Sequence, residues 1–118
     1  MPILDIEVVG HTVDQGNLTQ RLADAAGRAL NSRPKGTWVK LHWLDAELYA
    51  ENEGSDQILP VFVSLVQACP PEGRELEKQM VALTDAVAMT LDRPVEHVHI
   101  LLQPSASGRI SFGGTLQT

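Results

Sequence analysis

Hydrophobic and polar residues alternate at the head of the chain. Leu4, Ile6 and Val8 fall on one side, and Asp5 and Glu7 on the other. That period of two predicts a strand over residues 2–9 with one face buried. Gly10-His11-Thr12-Val13-Asp14-Gln15-Gly16 reads as a loop, and Asn17-Leu18-Thr19-Gln20 has the N-x-x-Q form of a capping box. Leu18, Leu22, Ala25, Ala26 and Ala29 then recur at spacings of three and four, which predicts a helix to about Leu30, ended by Asn31-Ser32-Arg33-Pro34. Thr37 to Leu44 predicts a second strand, with Val39, Leu41 and Trp43 on one side and Trp38, Lys40 and His42 on the other.

Polar residues and turn formers fill 48–57, a connection at mid-chain. The pattern then starts again. Leu59 to Val66 predicts a strand, Cys69-Pro70-Pro71-Glu72-Gly73 a loop and helix entry, and Leu76, Met80, Leu83, Val87 and Leu91 a second amphipathic helix closed by Asp92-Arg93-Pro94. Val95 to Leu102 predicts a fourth strand, with Val98, Ile100 and Leu102 opposite His97, His99 and Leu101. The tail from Pro104 to Gly114 reads as a turn, a short extended piece and a glycine stop.

The order is therefore strand-helix-strand, connection, strand-helix-strand. Pro2 and Pro60 differ by 58, as do Leu18 and Leu76; Pro34 and Pro94 differ by 60, and Lys40 and His99 by 59. A near-constant offset is the mark of an internal repeat, here about 2–54 and 60–114 within a single domain over 1–118. The fold class expected is α+β: two consecutive β-α-β units forming a four-stranded sheet with two helices on one face. The other sheet face needs cover. Val61, Val63 and Leu65 are placed on it here, too apolar for solvent, and a homo-oligomer is the simple way to bury them.

Composition narrows the function. A net charge of −6 with a pI near 5 argues against a nucleic-acid partner. The apolar runs are too short for a membrane span, and no secretory signal pattern is visible. The single cysteine, Cys69, rules out an internal disulfide and fits a cytoplasmic location. His97 and His99 share a strand face, but no third ligand stands at suitable spacing, so no metal is expected.

Pro2 lies directly behind the initiator. Where Met1 is removed, Pro2 becomes a secondary amine on a rigid ring, able to act as a base or a nucleophile as no internal proline can. An ordinary α-amino group titrates at about 7.7–8.0, and a secondary amine is more basic still. Desolvation and a nearby cation both favour the neutral form that a base must take.

In Pro2-Ile3, Pro71-Glu72-Gly73-Arg74, Val98-His99-Ile100 and Gly108-Arg109-Ile110-Ser111-Phe112-Gly113-Gly114, taken in this order across two units, the chain resembles the tautomerase superfamily. That family includes 4-oxalocrotonate tautomerase, 5-carboxymethyl-2-hydroxymuconate isomerase and macrophage migration inhibitory factor. Lys40-Leu41-His42-Trp43-Leu44-Asp45 is similar to the carboxymethyl-hydroxymuconate isomerase subgroup. The resemblance covers essentially the whole chain. It implies a homotrimer with sites at subunit interfaces, no cofactor, and Pro2 as general base in the enol–keto tautomerisation of a small unsaturated 2-hydroxy or 2-keto acid. It also implies carboxylate binding by Arg74 in the Gly73-Arg74 pair, a strand position at His99 that reaches a neighbouring subunit's site, and a site-lining segment at Arg109 and Ile110. Arg33, in Arg33-Pro34, matches a Lys-Pro pair at the same helix end; it is the cation near Pro2 or a helix C-terminal charge.

Arg74 can also be read as a solvated side chain, or as one paired with Glu72 or Glu77. His99 can equally be read as a histidine on a half-exposed strand face. Two other functions compete: hydration, dehalogenation or decarboxylation on the same scaffold, and a non-catalytic trimeric binding or structural protein.

Overall fold

The structure, a computed structural model, describes residues 1–11, 16–54 and 56–118. Part of the loop expected at 10–16 and one position of the connection expected at 48–57 lie outside the described residues. Four strands, β1 (Ile3–Val9), β2 (Trp38–Leu44), β3 (Val61–Val66) and β4 (Val98–Leu102), form one sheet in the order β2-β1-β3-β4. β1 and β2 are parallel, β3 and β4 are parallel, and β1 and β3 meet antiparallel in the middle. Helices α1 (Leu18–Ala29) and α2 (Gly73–Leu91) pack together on one face of the sheet. This is the α+β arrangement of two β-α-β units expected from the pattern.

The core follows from the antiparallel register. Leu4 pairs with Leu65, Ile6 with Val63 and Val8 with Val61. All six are buried and sit in one cluster with Leu22, Ala26, Leu83, Val87 and Leu91 of the helices. This overturns the placing of Val61, Val63 and Leu65 on the uncovered face. Val-Phe-Val-Ser-Leu-Val is apolar on both sides, so its own pattern does not choose a face; pairing with β1 does. The open face carries Ile3, Asp5 and Glu7 of β1, Lys40 and His42 of β2, Phe62 and Ser64 of β3, and His99 and Leu101 of β4.

Several local expectations change. The capping box is not made: Asn17 sits in left-handed geometry (φ 53°) with no side-chain cap bond. After Gly16, also at positive φ (86°), the chain enters α1 through a backbone turn instead of through the Asn17 side chain. Val95–His97 is a short 3-10 turn, so β4 begins at Val98 and His97 does not share its face with His99. Pro60 is fully buried ahead of a core-facing Val61, whereas half-buried Pro2 precedes Ile3 on the open face, so the two prolines are not equivalent in the sheet. Ala46–Leu48 forms a 3-10 turn at the start of the connection. In the tail, Gly113 and Gly114 (φ 58° and 93°) turn a hairpin between β5 (Ser111–Phe112) and β6 (Thr115–Leu116) where a stop was expected.

Replacing Leu65 by alanine tests the face assignment. A fully buried leucine lost from the core costs about 2–5 kcal/mol. A shift in the urea unfolding midpoint equivalent to less than about 0.5 kcal/mol is what a solvent-facing position gives, and would contradict this register.

Candidate active site at the start of the first strand

Strand pairing defines the end of the sheet at which Pro2 lies. Ile3 pairs with Trp38 and Val66, and Leu4, Leu65 and Leu102 stand in one row. The chain leaves β3 here through Gln67 and enters α2. Gln67 and Gln79 exchange side-chain amide hydrogen bonds (2.9 and 3.2 Å), which fixes the first turns of α2 beside this end. α1 also delivers the chain here: its C-terminus turns through 30–37 into β2, with Ser32 and Thr37 hydroxyls hydrogen bonded to each other. The Pro2 end is thus built from the starts of β1 and β2, the ends of β3 and β4, the C-terminus of α1 and the N-terminus of α2.

Pro2 itself is half-buried, and its carbonyl accepts a hydrogen bond from the Trp38 backbone N–H (3.0 Å). This anchors the residue from its C-terminal side and leaves the ring nitrogen outside the ladder. With Met1 attached, that nitrogen is an amide. The Trp38 indole donates to the Lys35 carbonyl (3.0 Å), and its ring meets Phe112 edge-on, with centroids 5.4 Å apart. The tail therefore crosses this end. Gln103 N–H donates to Leu65 O, Ala106 N–H to Gln67 O and the Ser105 hydroxyl to Ala68 O, and the hairpin then reaches Trp38. Phe112 stood in the sequence only within the tail motif, and its contact with Trp38 could not be read there, because it depends on where the tail goes after β4.

Arg74 lies in the first turn of α2 and Arg33 in the turn before β2, so the topology brings both to the Pro2 end. Both are exposed and, among the described residues, neither is paired with a carboxylate; the expected alternative pairing of Arg74 with Glu72 or Glu77 is not formed. Arg109 and Ile110 belong to the tail that crosses this end. The Arg109 amide bonds to Ala106 O (2.8 Å), and the Ile110 carbonyl accepts from Gln117 N–H (2.9 Å). Among the described residues no hydrogen bond or ion pair joins Pro2 to any of these side chains.

His99 lies elsewhere. It faces the open side of the sheet in the row His42–Glu7–Phe62–His99, four residues along β1 from Ile3, or about 13 Å. Its ring stands 5.7 Å from Phe62. The same face holds a shallow cavity of about 550 Å³ bordered by Asp5, Phe62, His99 and Leu101. Asp5 accepts there from Lys40 (3.1 Å) and His42 (3.4 Å).

Two groups outside this end have displaced pKa values. The hydrogen bond from Tyr49 to Glu51 pushes the phenol up, and burial pushes Arg93 down while its guanidinium donates to Leu59 O (2.6 Å). No three His, Cys, Asp or Glu side chains converge as metal ligands among the described residues, and no helix among them is long and apolar enough to cross a membrane.

No protein-family model matches the chain, and no curated protein matches it. Solved structures do. A structure of Pt0534 inactivated by 2-oxo-3-pentynoate superposes with a TM-score of 0.78 at 16% identity, over 98% of this chain and 95% of that one. A wild-type fused 4-OT described as a symmetric trimer gives 0.76 at 17%, over 98% and 94%. Macrophage migration inhibitory factor from Oncomelania hupensis gives 0.72 at 18%, over 100% and 83%. The chain has the fold of the fused 4-OT and macrophage migration inhibitory factor structures.

Removing the Phe112 ring tests the tail's attachment. An aromatic pair contributes about 0.5–1.5 kcal/mol, so Phe112→Ala should speed amide exchange at Gln117 by about 2–12-fold while β1 amides stay protected. Unchanged exchange at Gln117 would mean the hairpin is held by its backbone bonds alone.

Proposed function

We propose that the chain is a cofactor-independent tautomerase, with Pro2 as the general base once Met1 has been removed. The observation that carries this reading is the anchoring of Pro2. Its carbonyl is tied to Trp38 N–H at the sheet end where α2 begins, which anchors the residue at the start of β1. The tautomerase fold supports it.

The chemistry follows from the surroundings. Proline takes a proton from a dienol hydroxyl or an α-carbon and returns it to another carbon. The substrate is a small unsaturated 2-hydroxy or 2-keto acid. Arg74 binds its carboxylate, aided by the unpaired N–H groups in the first turn of α2. Arg33 stands on the other side of the same end and adds the positive potential that favours a neutral proline and a developing enolate. Arg109 and Ile110 border the site from the tail.

The site is completed in a homotrimer. Phe62, Leu101 and Trp38 are exposed on the open sheet face, an apolar surface suited to a second copy. His99 lies on that face, remote from its own Pro2, and we assign it to a neighbour's site. The fused 4-OT structures described as trimers support this assembly.

Three measurements test the reading. The intact mass of the expressed protein should lack Met1; a retained methionine removes the base. Pro2→Ala should lower kcat/KM for enol–keto conversion of phenylpyruvate or 2-hydroxymuconate by about 10²–10⁴-fold, the usual span for a general base, and undiminished activity would refute it. Light scattering should give three times the 12.9 kDa chain mass; a monomer would leave His99 without a site to serve.

A further inference from the structure

We propose that the cleft between α1 and the turn that follows it is a binding site for a small dianion, separate from the proton chemistry assigned to Pro2. The cleft encloses about 350 Å³ and is bordered by Arg28 and Asp24 of α1 and by Ser32, Arg33, Lys35 and Thr37 of the turn. That volume lies at the lower end of the range for small-molecule sites, about 300–1,000 Å³.

Charge is the first argument. The chain has nine Lys and Arg residues against fifteen Asp and Glu, yet three of the nine border this one cleft. Lys40 and Lys78 are paired with Asp5 and Glu75. Arg28, Arg33 and Lys35 form no ion pair with a carboxylate among the described residues. Asp24 is the one carboxylate on the cleft wall among the described residues, and it accepts a hydrogen bond from Gln20. Three cations against one carboxylate leave two positive charges uncompensated. Like charges brought together on a small domain repel, and a bound dianion removes that repulsion.

The second argument concerns the backbone. A helix C-terminus normally presents carbonyl oxygens, which disfavour an anion. Here three of these carbonyls are occupied. Ala26 O accepts from Leu30 N–H (2.9 Å), Gly27 O from Ser32 N–H (2.8 Å) and Arg28 O from Asn31 N–H (3.2 Å). Beside the cationic side chains and Asp24, the cleft carries the Ser32–Thr37 hydroxyl pair; one hydroxyl donates to the other, which leaves one O–H donor suited to a phosphoryl or carboxylate oxygen. The chemistry recognised is that of a compact dianion, either a phosphate monoester or a dicarboxylate.

Calorimetric titration of the full chain at low ionic strength, with inorganic phosphate and separately with succinate, tests the proposal. Saturable one-to-one binding is expected. Arg28→Gln combined with Lys35→Gln should weaken it by at least about tenfold, or 1.4 kcal/mol, as loss of charge-assisted contacts requires. Arg33 stays intact in that variant, because it also figures in the proposed substrate site. Lys78→Gln removes an equal charge from α2 and should leave affinity unchanged. Amide shift mapping on the wild type gives a readout free of any folding defect, with perturbations centred on residues 27–37. Binding of phosphate alone assigns a phosphoryl ligand, and binding of both salts assigns any compact dianion. No saturable binding of either salt, equal affinity in the double variant, or shifts centred elsewhere would overturn the site. Turnover of enol acids is measured apart, so failure of the cleft and failure of the Pro2 reading are distinguishable.

Discussion

The antiparallel pairing of β1 with β3 is the constraint on which the rest depends. Once Ile6 stands opposite Val63, side-chain alternation fixes the face of every residue in both central strands. A slip of one residue would exchange Val61, Val63 and Leu65 for Phe62, Ser64 and Val66 on the helix side. It would also break the buried rows that receive Leu22 and Leu83. The parallel partners then have no freedom: β2 follows β1 and β4 follows β3, each through a helix that must return over the same face.

The same pairing decides what gathers at each end. Because β1 and β3 run in opposite directions, the start of β1 lies beside the end of β3. Pro2 therefore meets the N-terminus of α2, which follows β3, and not that of its own helix α1. The two halves make unequal contributions to this end for that reason. One supplies the residue that begins a strand, the other the residue that begins a helix.

Much of this was legible in the residues, and the failures have physical causes. The polar Asp5 and Glu7 declare the face of β1, so its burial was read correctly. β3 has only Ser64 to break an apolar run, and a single weakly polar residue does not outweigh a partner's register. Asn17-Leu18-Thr19-Gln20 has the letters of a capping box, but capping needs an extended Asn17 backbone, and the turn at Gly16 and Asn17 is left-handed instead. For the candidate site, the order of Pro2, Arg33, Arg74 and Arg109 was visible, and strand order supplies the end they share. The Trp38–Phe112 contact and the company that Arg28 and Lys35 keep with Arg33 depend on the path of a turn and a tail, which carry no periodicity to read.

Charge adds a final constraint. A chain of net charge −6 repels small anions on average, so an anionic ligand needs a local exception. Asp45, Glu47, Glu51, Glu53 and Asp56 all lie between β2 and β3, at the end of the sheet remote from Pro2. Asp92 and Glu96, between α2 and β4, add to that end, and Arg93 between them offsets one charge. Arg28, Arg33, Lys35, Arg74 and Arg109 belong to the elements that build the opposite end, where Glu72, Glu75 and Glu77 offset them only in part. The result is a domain polarised along its strands. That distribution favours an anion at the end where Pro2 begins the sheet over the connection between β2 and β3. Because this attraction acts across solvent, it extends about one Debye length, roughly 8–10 Å at physiological salt, so side chains within that reach, not the net charge, govern anion capture.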